Sequence, residues 1–373
     1  MVRVFCLTFA FVLSNQGLAA DLPYAYFGPN KVNGTEEHHV HRSFDSSIPN
    51  LSILNTPYDL DFTGLPDDTE RLVTSQFDPV DSNNIYVRLD ASIHKRTASG
   101  QELWVTQFDR HNVYIRSTLF PKSGNFYYLS LTNGEIDVVS TATGVVSQVF
   151  TGVCKGQCFT LDLSPDETFL AVGDSSGAIT LIQPASGTLI ARWQAHRFPV
   201  RSVKILNGPN GHFIVSHDWI ELVVRNLDDE QDLRRFTDLS LNGKNNIWID
   251  SFDLIRGNGT ALIGSGLMAK VLDLRNGQVL KQYGPTGDNL LFLSVSEDET
   301  KVTGVSGDLF TYVWDIDTQE KLATGAVRAA SMFSVLTGVT VSTDGRQLSI
   351  ASTEAYFSVP ARLFNRVRLY ATP

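Results

Sequence analysis

The sequence predicts an all-β fold: a seven-bladed β-propeller of four-stranded blades, its ring closed by an N-terminal strand. Three observations predict it. Short runs of Val, Ile, Thr, Tyr and Phe recur along the chain, and these residue types suit pleated, half-buried surfaces. One strand–turn pattern is repeated. Its first turn returns at the interval expected for one propeller blade.

The repeat is clearest in the third copy. Thr160–Leu163 leads into Ser164-Pro165-Asp166-Glu167, and Phe169–Val172 is followed by Gly173-Asp174-Ser175-Ser176-Gly177. Ile179–Ile182, Ala185-Ser186-Gly187 and Leu189–Trp193 complete the unit. The first turns align on Pro79, Pro121, Pro165, Gly208, Arg256, Glu297 and Thr343, at separations of 42, 44, 43, 48, 41 and 46 residues. Later turns keep phase at Thr97–Gly100, Thr141–Gly144, Leu274–Gly277 and Asp315–Thr318, each before an apolar run.

The last copy offers Phe333–Val341, Gln347–Ser352 and Val367–Tyr370. Its fourth strand is expected from Leu51–Leu54 or Tyr58–Phe62, a pairing that would protect a sheet edge and join the two ends. The predicted organisation is a signal peptide over 1–20, a polar tail over 21–49 and a single seven-bladed domain over 50–373.

These residues resemble the WD-repeat family across about 71–370. Trp314-Asp315 is the signature dipeptide itself, and Leu272-Asp273 stands at the matching place one copy earlier. Ala195-His196 replaces the family's Gly-His, followed by Val200-Arg201-Ser202-Val203 and Asp218. The resemblance implies that His, Asp and Trp join in a hydrogen-bond network that braces each blade. The chain departs from it where Arg225 and Ile182 stand in place of Trp. SGQELW and TNGEIDVVSTATG in the first two copies look closer to the quinoprotein repeat, which leaves a quinoprotein-like or lactonase-like propeller open.

Arg3, the apolar run Val4–Leu13 and the small residues Ala19 and Ala20 read together as a secretory signal cleaved before Asp21, too short to span a bilayer. Cleavage would leave two of the three cysteines, Cys154 and Cys158, which an oxidising compartment can pair. A metal site or a free pair is the alternative. Asn33, Asn50 and Asn258 each begin a glycosylation triplet. The formal charge of −10 disfavours a nucleic-acid surface.

Other motifs point to structure before chemistry. Gly173-Asp174-Ser175-Ser176-Gly177 matches a serine-hydrolase string, but that string needs a strand–turn–helix elbow, and here it joins two strands. His38, His39 and His41 could bind copper or zinc but lie in the polar tail. Ser296–Glu299 and Asp228-Asp229-Glu230 are acidic turns without the spacing of a calcium loop. His196, His217 and Asp218 could form a catalytic set, yet stand where WD repeats keep bracing groups. No adjacent cysteines support a quinoprotein dehydrogenase. No catalytic residue, metal or cofactor is therefore assigned.

Binding is expected on one face of the ring, shared by the loops that enter each blade and those between its second and third strands. That face would carry the Cys154–Cys158 loop, Arg197, Phe198, Trp219 and a long segment over 353–366. The segment holds Tyr356, Phe357, Arg362, Phe364 and Arg366, residue types that anchor interfaces. The sequence thus points to a secreted or lumenal, non-enzymatic scaffold for a protein or glycan partner, with no nucleic acid and no membrane span. A metal-dependent hydrolase or lactonase-like enzyme with its site in the central channel is the rival reading. A structural matrix or surface component is the third.

Overall fold

A computed structural model describes residues 59–61 and 73–371, apart from 90, 109–112, 209–210, 229–230, 238–248, 250, 257–258, 297, 309, 327–332, 343–346 and 357–361. Among the described residues every regular element is a β-strand, and the strands form four-stranded antiparallel sheets. Their first strands lie against one another around a common axis.

Six sheets are complete blades, each made of four strands consecutive in sequence. Blade 1 opens with Thr74–Phe77 and ends with Glu102–Gln107; blade 2 runs from Ile115–Leu119 to Val146–Phe150. Blade 3 is Cys158–Leu163, Leu170–Asp174, Ala178–Ile182 and Leu189–Gln194. Blade 4 is Ser202–Gly208, Gly211–His217, Leu222–Asn226 and Gln231–Phe236. Blade 5 starts at Ser251–Ile255 and blade 6 at Leu290–Val295, closing on Lys321–Ala326.

The expected count of seven such blades is corrected to six. The remaining four-stranded sheet is a composite closure: Phe333–Val341, Gln347–Tyr356 and Arg362–Ala371 pair with Asp59–Asp61, from the other end of the chain. Its three long strands have 9, 10 and 10 residues and its fourth only 3. Turn spacing counted seven because the closure shares the first hairpin of a blade. The later turn that introduces a blade's own fourth strand is the part it lacks.

Apolar faces of neighbouring sheets meet in shared clusters. Val215, Leu222 and Phe252 join blades 4 and 5, and Tyr312, Trp314 and Leu262 join blades 5 and 6. Val87, Ala351 and Val367 join blade 1 to the closure. At roughly 25 cal/mol per Å² of apolar area removed from water, these clusters are the main force holding the ring together. Aromatic residues do this between blades 1 and 2, where Tyr86 stacks on Phe120 at 4.2 Å and both pack on Tyr127.

The turns explain the spacing. The last turn of blades 1, 2, 3 and 5 places Gly100, Gly144, Gly187 and Gly277 at positive φ, where a side chain is strained. The first turn of blades 3 and 6 puts Glu167 and Glu299 at φ 58° and 55° instead.

Candidate functional site

The innermost strands of blades 2 and 3 each begin with a β-bulge. In blade 2 the register skips from Ile115 to Ser117, and in blade 3 from Cys158 to Thr160. A bulge leaves its extra residue outside the ladder and re-aims the side chain. The residues placed outside the ladder are Arg116 and Phe159. Arg201 precedes the first strand of blade 4, one blade period beyond Phe159, and its amide donates to the His217 carbonyl at 2.8 Å.

These residues stack. The Arg116 guanidinium lies 5.2 Å from the centre of the Phe159 ring, and that of Arg201 lies 5.8 Å from the same ring. Arg201 also covers Trp219 at 3.8 Å. The result is a ladder of cation, ring, cation, ring drawn from three blades. A cation over an aromatic face contributes roughly 0.5–2 kcal/mol according to its desolvation.

The Cys154–Cys158 disulfide sets one end of this ladder. The bridge is formed, with a Cα–Cα distance of 5.7 Å. Gln157, inside the loop, accepts from Arg116 Nε at 3.0 Å and from its terminal nitrogen at 2.6 Å. The Gln157 amide donates to Ser175 Oγ at 3.1 Å, and its carbonyl accepts from the Ser175 amide at 2.9 Å. The loop is thereby fastened to the turn between the second and third strands of blade 3.

That turn is the serine-hydrolase string, and it is a hairpin as expected. Asp174 is fully buried and its Oδ1 accepts from the amides of Ser176 and Ala178 and from Ser176 Oγ. Ser176 is thus part of the turn's own hydrogen bonding. Gly177 has φ +85°, and a Cβ there would stand 2.3 Å from the His196 carbonyl oxygen and 2.7 Å from that of Phe198. The close approach holds the Arg197-Phe198 loop against blade 3. Arg197 is exposed, Phe198 is 39% exposed, and the guanidinium lies 5.8 Å from the ring. Arg197, Phe198, Trp219 and the disulfide loop therefore share one face of the ring.

The segment over 353–366 differs from expectation. Pairing continues through Ser352↔Arg366, Glu354↔Phe364 and Tyr356↔Arg362, so most of it is strand rather than loop. Backbone hydrogen bonding takes up what the sequence left as excess loop length. Phe357 lies outside the described residues, as do His38, His39, His41, Asn33, Asn50 and Asn258.

His196, His217 and Asp218 divide into two roles. His196 is buried: Nε2 meets Ser216 Oγ at 2.8 Å and Nδ1 meets Glu221 Oε1 at 3.2 Å. Asp218 Oδ2 lies 3.8 Å from Nδ1, while its Oδ1 accepts from the amides of Ile220 and Glu221. Arg235 closes the network on Glu221 at 2.5 Å and on Asp232 at 3.0 Å. Burial holds the His196 pKa below its ordinary value despite the two carboxylates. Ligand atoms of His196, Asp218 and Glu221 lie within 4.8 Å of one another, close enough to suit a cation. A cation there would compete with Arg235 for Glu221. Sequence reasoning missed Glu221 and Arg235.

His217 faces inward. Its Nδ1 is bonded to the Asp218 carbonyl, its ring lies 5.3 Å from that of Phe252, and burial depresses its pKa to about 4. It lines a cavity of about 170 Å³ with Arg201 and Ser202 of blade 4 and Ser251 and Phe252 of blade 5. Blade 6 supplies the apolar wall Leu291–Leu293.

The Lys204–Asp253 pair at 3.8 Å and the Arg256–Asp162 pair at 3.3 Å tie the inner strands of blades 3 to 5 together. Asp162 and Asp253 also accept from the amides of Ile205 and Val295 in the next blade, at 2.6 and 2.9 Å. Those carboxylates serve blade-to-blade register. Among the described residues no helix is long and apolar enough to cross a membrane.

No protein-family profile matches the sequence. No curated protein matches it either. In structure, the chain is similar to one chain of the crystal structure titled mitotic checkpoint complex, with a TM-score of 0.65 and 15% identity over 93% of this chain and 98% of that one. At that identity the likeness concerns architecture. With the sheet order it places this chain in the β-propeller class, a repeat fold compatible with holding protein partners.

Proposed function

We propose that this protein is a secreted or lumenal, non-enzymatic propeller that binds a protein or glycan partner on the face carrying Arg197, Phe198, Arg201 and Trp219. The observation that carries the reading is the Arg116–Phe159–Arg201–Trp219 ladder. Three blades converge to present arginine and aromatic groups at the mouth of the ring, in a chain whose net charge is −10. Such groups dominate the energetics of interfaces. Phe198 and Ile220, 39% and 47% exposed, extend the patch beside it. Tyr356, Phe357, Arg362, Phe364 and Arg366 stay in the proposal on their residue types alone.

Two considerations support a scaffold over the hydrolase reading. The polar cluster nearest to a catalytic set is bound up in bracing blade 4, and the structurally similar chain is titled as part of a complex. The test uses the secreted protein with R197E and F198S, both at exposed positions, and L189A on an outer strand as control. Partners recovered by the parent chain should be lost with the first two and kept with the control. Equal recovery with all three would overturn the assignment of this face. Secretion is tested by the mature N-terminus, expected at Asp21, and by a mass decrease on glycosidase treatment.

A further inference from the structure

Three potential metal ligands converge where blade 4 meets the loop that enters it. His196 lies in that loop, and Asp218 and Glu221 flank the turn between the second and third strands of the blade. Among the described residues they are the one group of three histidine, cysteine or acidic side chains whose ligand atoms lie within 4.8 Å of one another. Each also takes part in the hydrogen bonding of the blade, so proximity alone does not make them a site.

Asp218 supplies the independent observation. It is 0% exposed, and its two carboxylate oxygens are used unequally. Oδ1 accepts from the amides of Ile220 and Glu221 at 2.8 and 2.9 Å, which holds the carboxylate in place. Oδ2 has no hydrogen-bond partner and lies 3.8 Å from His196 Nδ1. A carboxylate oxygen taken out of water with no donor opposite carries its desolvation cost uncompensated, and a metal ion is a partner that compensates it.

The histidine fits the same partner. Nε2 lies 2.8 Å from Ser216 Oγ, and Nδ1 lies 3.2 Å from Glu221 Oε1. With the ring proton on Nδ1, the ring donates to Glu221 and Asp218 Oδ2 is left over. With the proton on Nε2, Ser216 accepts it, and lone pairs of Nδ1, Oε1 and Oδ2 face one another across a gap that suits a cation. A histidine ligand usually donates its other N–H to a neighbouring acceptor, and Ser216 is placed to be that acceptor.

Geometry and ligand type select the ion. Tetrahedral zinc, with ligands at roughly 2.0–2.2 Å, holds them about 3.3–3.6 Å apart. The His196–Glu221 separation is close to that, and the His196–Asp218 separation needs only a small contraction. One nitrogen and two carboxylates suit zinc and are too few for calcium, which takes roughly six to eight oxygens. The Glu221 side chain is 12% exposed against 0% for the other two, so it is the movable ligand and marks the side from which an ion enters. Arg235, which holds Glu221 at 2.5 Å, keeps Asp232 and the Ala195 carbonyl, each at 3.0 Å, when Glu221 turns to the ion.

We propose that His196 Nδ1, Asp218 Oδ2 and Glu221 Oε1 form a zinc-binding site whose fourth position is open to solvent. The ion would tie the Arg197-Phe198 loop, which follows His196, to the Trp219-Ile220 turn, which runs between Asp218 and Glu221. The proposal goes beyond the rim reading and does not depend on it.

The mature full chain, stripped with a chelator and titrated with zinc chloride by calorimetry, tests it. An ion should bind at this site and raise the thermal midpoint. E221Q should weaken binding more than about tenfold. D218N, which keeps an oxygen for the two amides, should do the same. R235Q should strengthen binding several-fold by removing the competitor for Glu221, a result that a purely bracing role of the cluster does not give. It also keeps the test decisive where E221Q or D218N fails to fold. Zinc held instead by His38, His39 and His41 would be indifferent to all three variants. That indifference, or no zinc uptake by the parent chain, would overturn the proposal and leave the rim reading to its own variants.

Discussion

Glu299 accepts the backbone amide of Arg256 at 2.6 Å, across the junction of blades 5 and 6, while holding φ at +55°. Glu167 repeats the relationship between blades 2 and 3, accepting from the Ser123 amide at 3.2 Å with φ at +58°. At the matching turns of blades 2 and 5 the chain has Gly124 and Gly259, with φ of +68° and +61°. Left-handed backbone costs a non-glycine residue roughly 1–2 kcal/mol. The charged hydrogen bond contributes roughly 1.5–3 kcal/mol. The bond therefore outweighs the strain, and E299G should destabilise by about 1 kcal/mol instead of stabilising. Urea melts check this; an increase in midpoint would show that backbone relief dominates.

The Cys154–Cys158 bridge closes a loop of few residues, so its effect on the unfolded chain is small. Replacing both cysteines by Ala should cost about 2 kcal/mol. The larger effect is local, because the loop carries Gln157 and Gln157 positions Arg116. Hydrogen exchange should rise over 154–158 and at the start of blade 2 while blades 5 and 6 keep their protection.

His196 braces blade 4 through Ser216 and Glu221. H196A should destabilise by about 3 kcal/mol, since it leaves buried polar partners unsatisfied. A Glu221→Gln variant should cost less, because its side chain still reaches His196 while the attraction to Arg235 is weakened. Thermal denaturation of both variants checks the order.

Acid should destabilise the ring before the carboxylates protonate. His217 has its pKa depressed by burial to about 4, and His94 and His196 are shifted down for the same reason. A histidine whose folded pKa lies below its unfolded value contributes stability that is fully present above about pH 6.5 and lost as pH falls toward the folded value. For His217 the loss between about pH 6.5 and 4 is on the order of 3 kcal/mol. H217N should flatten that part of the stability profile, and a series of urea melts from pH 7 to 4 measures it.

The strands, the turn chemistry and the disulfide partners were legible because each depends on neighbours in sequence. Pro165-Asp166-Glu167 marks a turn by its residue types, and Cys154 and Cys158 are four apart. The Arg116–Phe159–Arg201 ladder was not, since its members come from three blades. One signal for it existed: the three stand 43 and 42 residues apart, at one phase of the repeat. What that spacing could not show is that bulges turn Arg116 and Phe159 out of the ladder. Glu221 and Arg235 were missed for a related reason. The blade uses an arginine from its outermost strand where the resemblance pointed to tryptophan. The strand pairing of 353–366 went unread because aromatic and arginine content suggests an interface as readily as a sheet.

The composite sheet makes completion of the ring the last possible step of folding. Asp59–Asp61 meets its partner only through Asp59↔Arg368, Leu60↔Val367 and Asp61↔Arg366, some three hundred positions away along the chain. Closure entropy grows only logarithmically with such distance, so the length of the detour is tolerable thermodynamically. The timing is not negotiable: until all six blades are stacked, the outer edge of Arg362–Ala371 has no strand of its own to receive. During synthesis that edge is a template for any extended segment nearby, and the strand Asp59–Asp61 must reach it before a second molecule does.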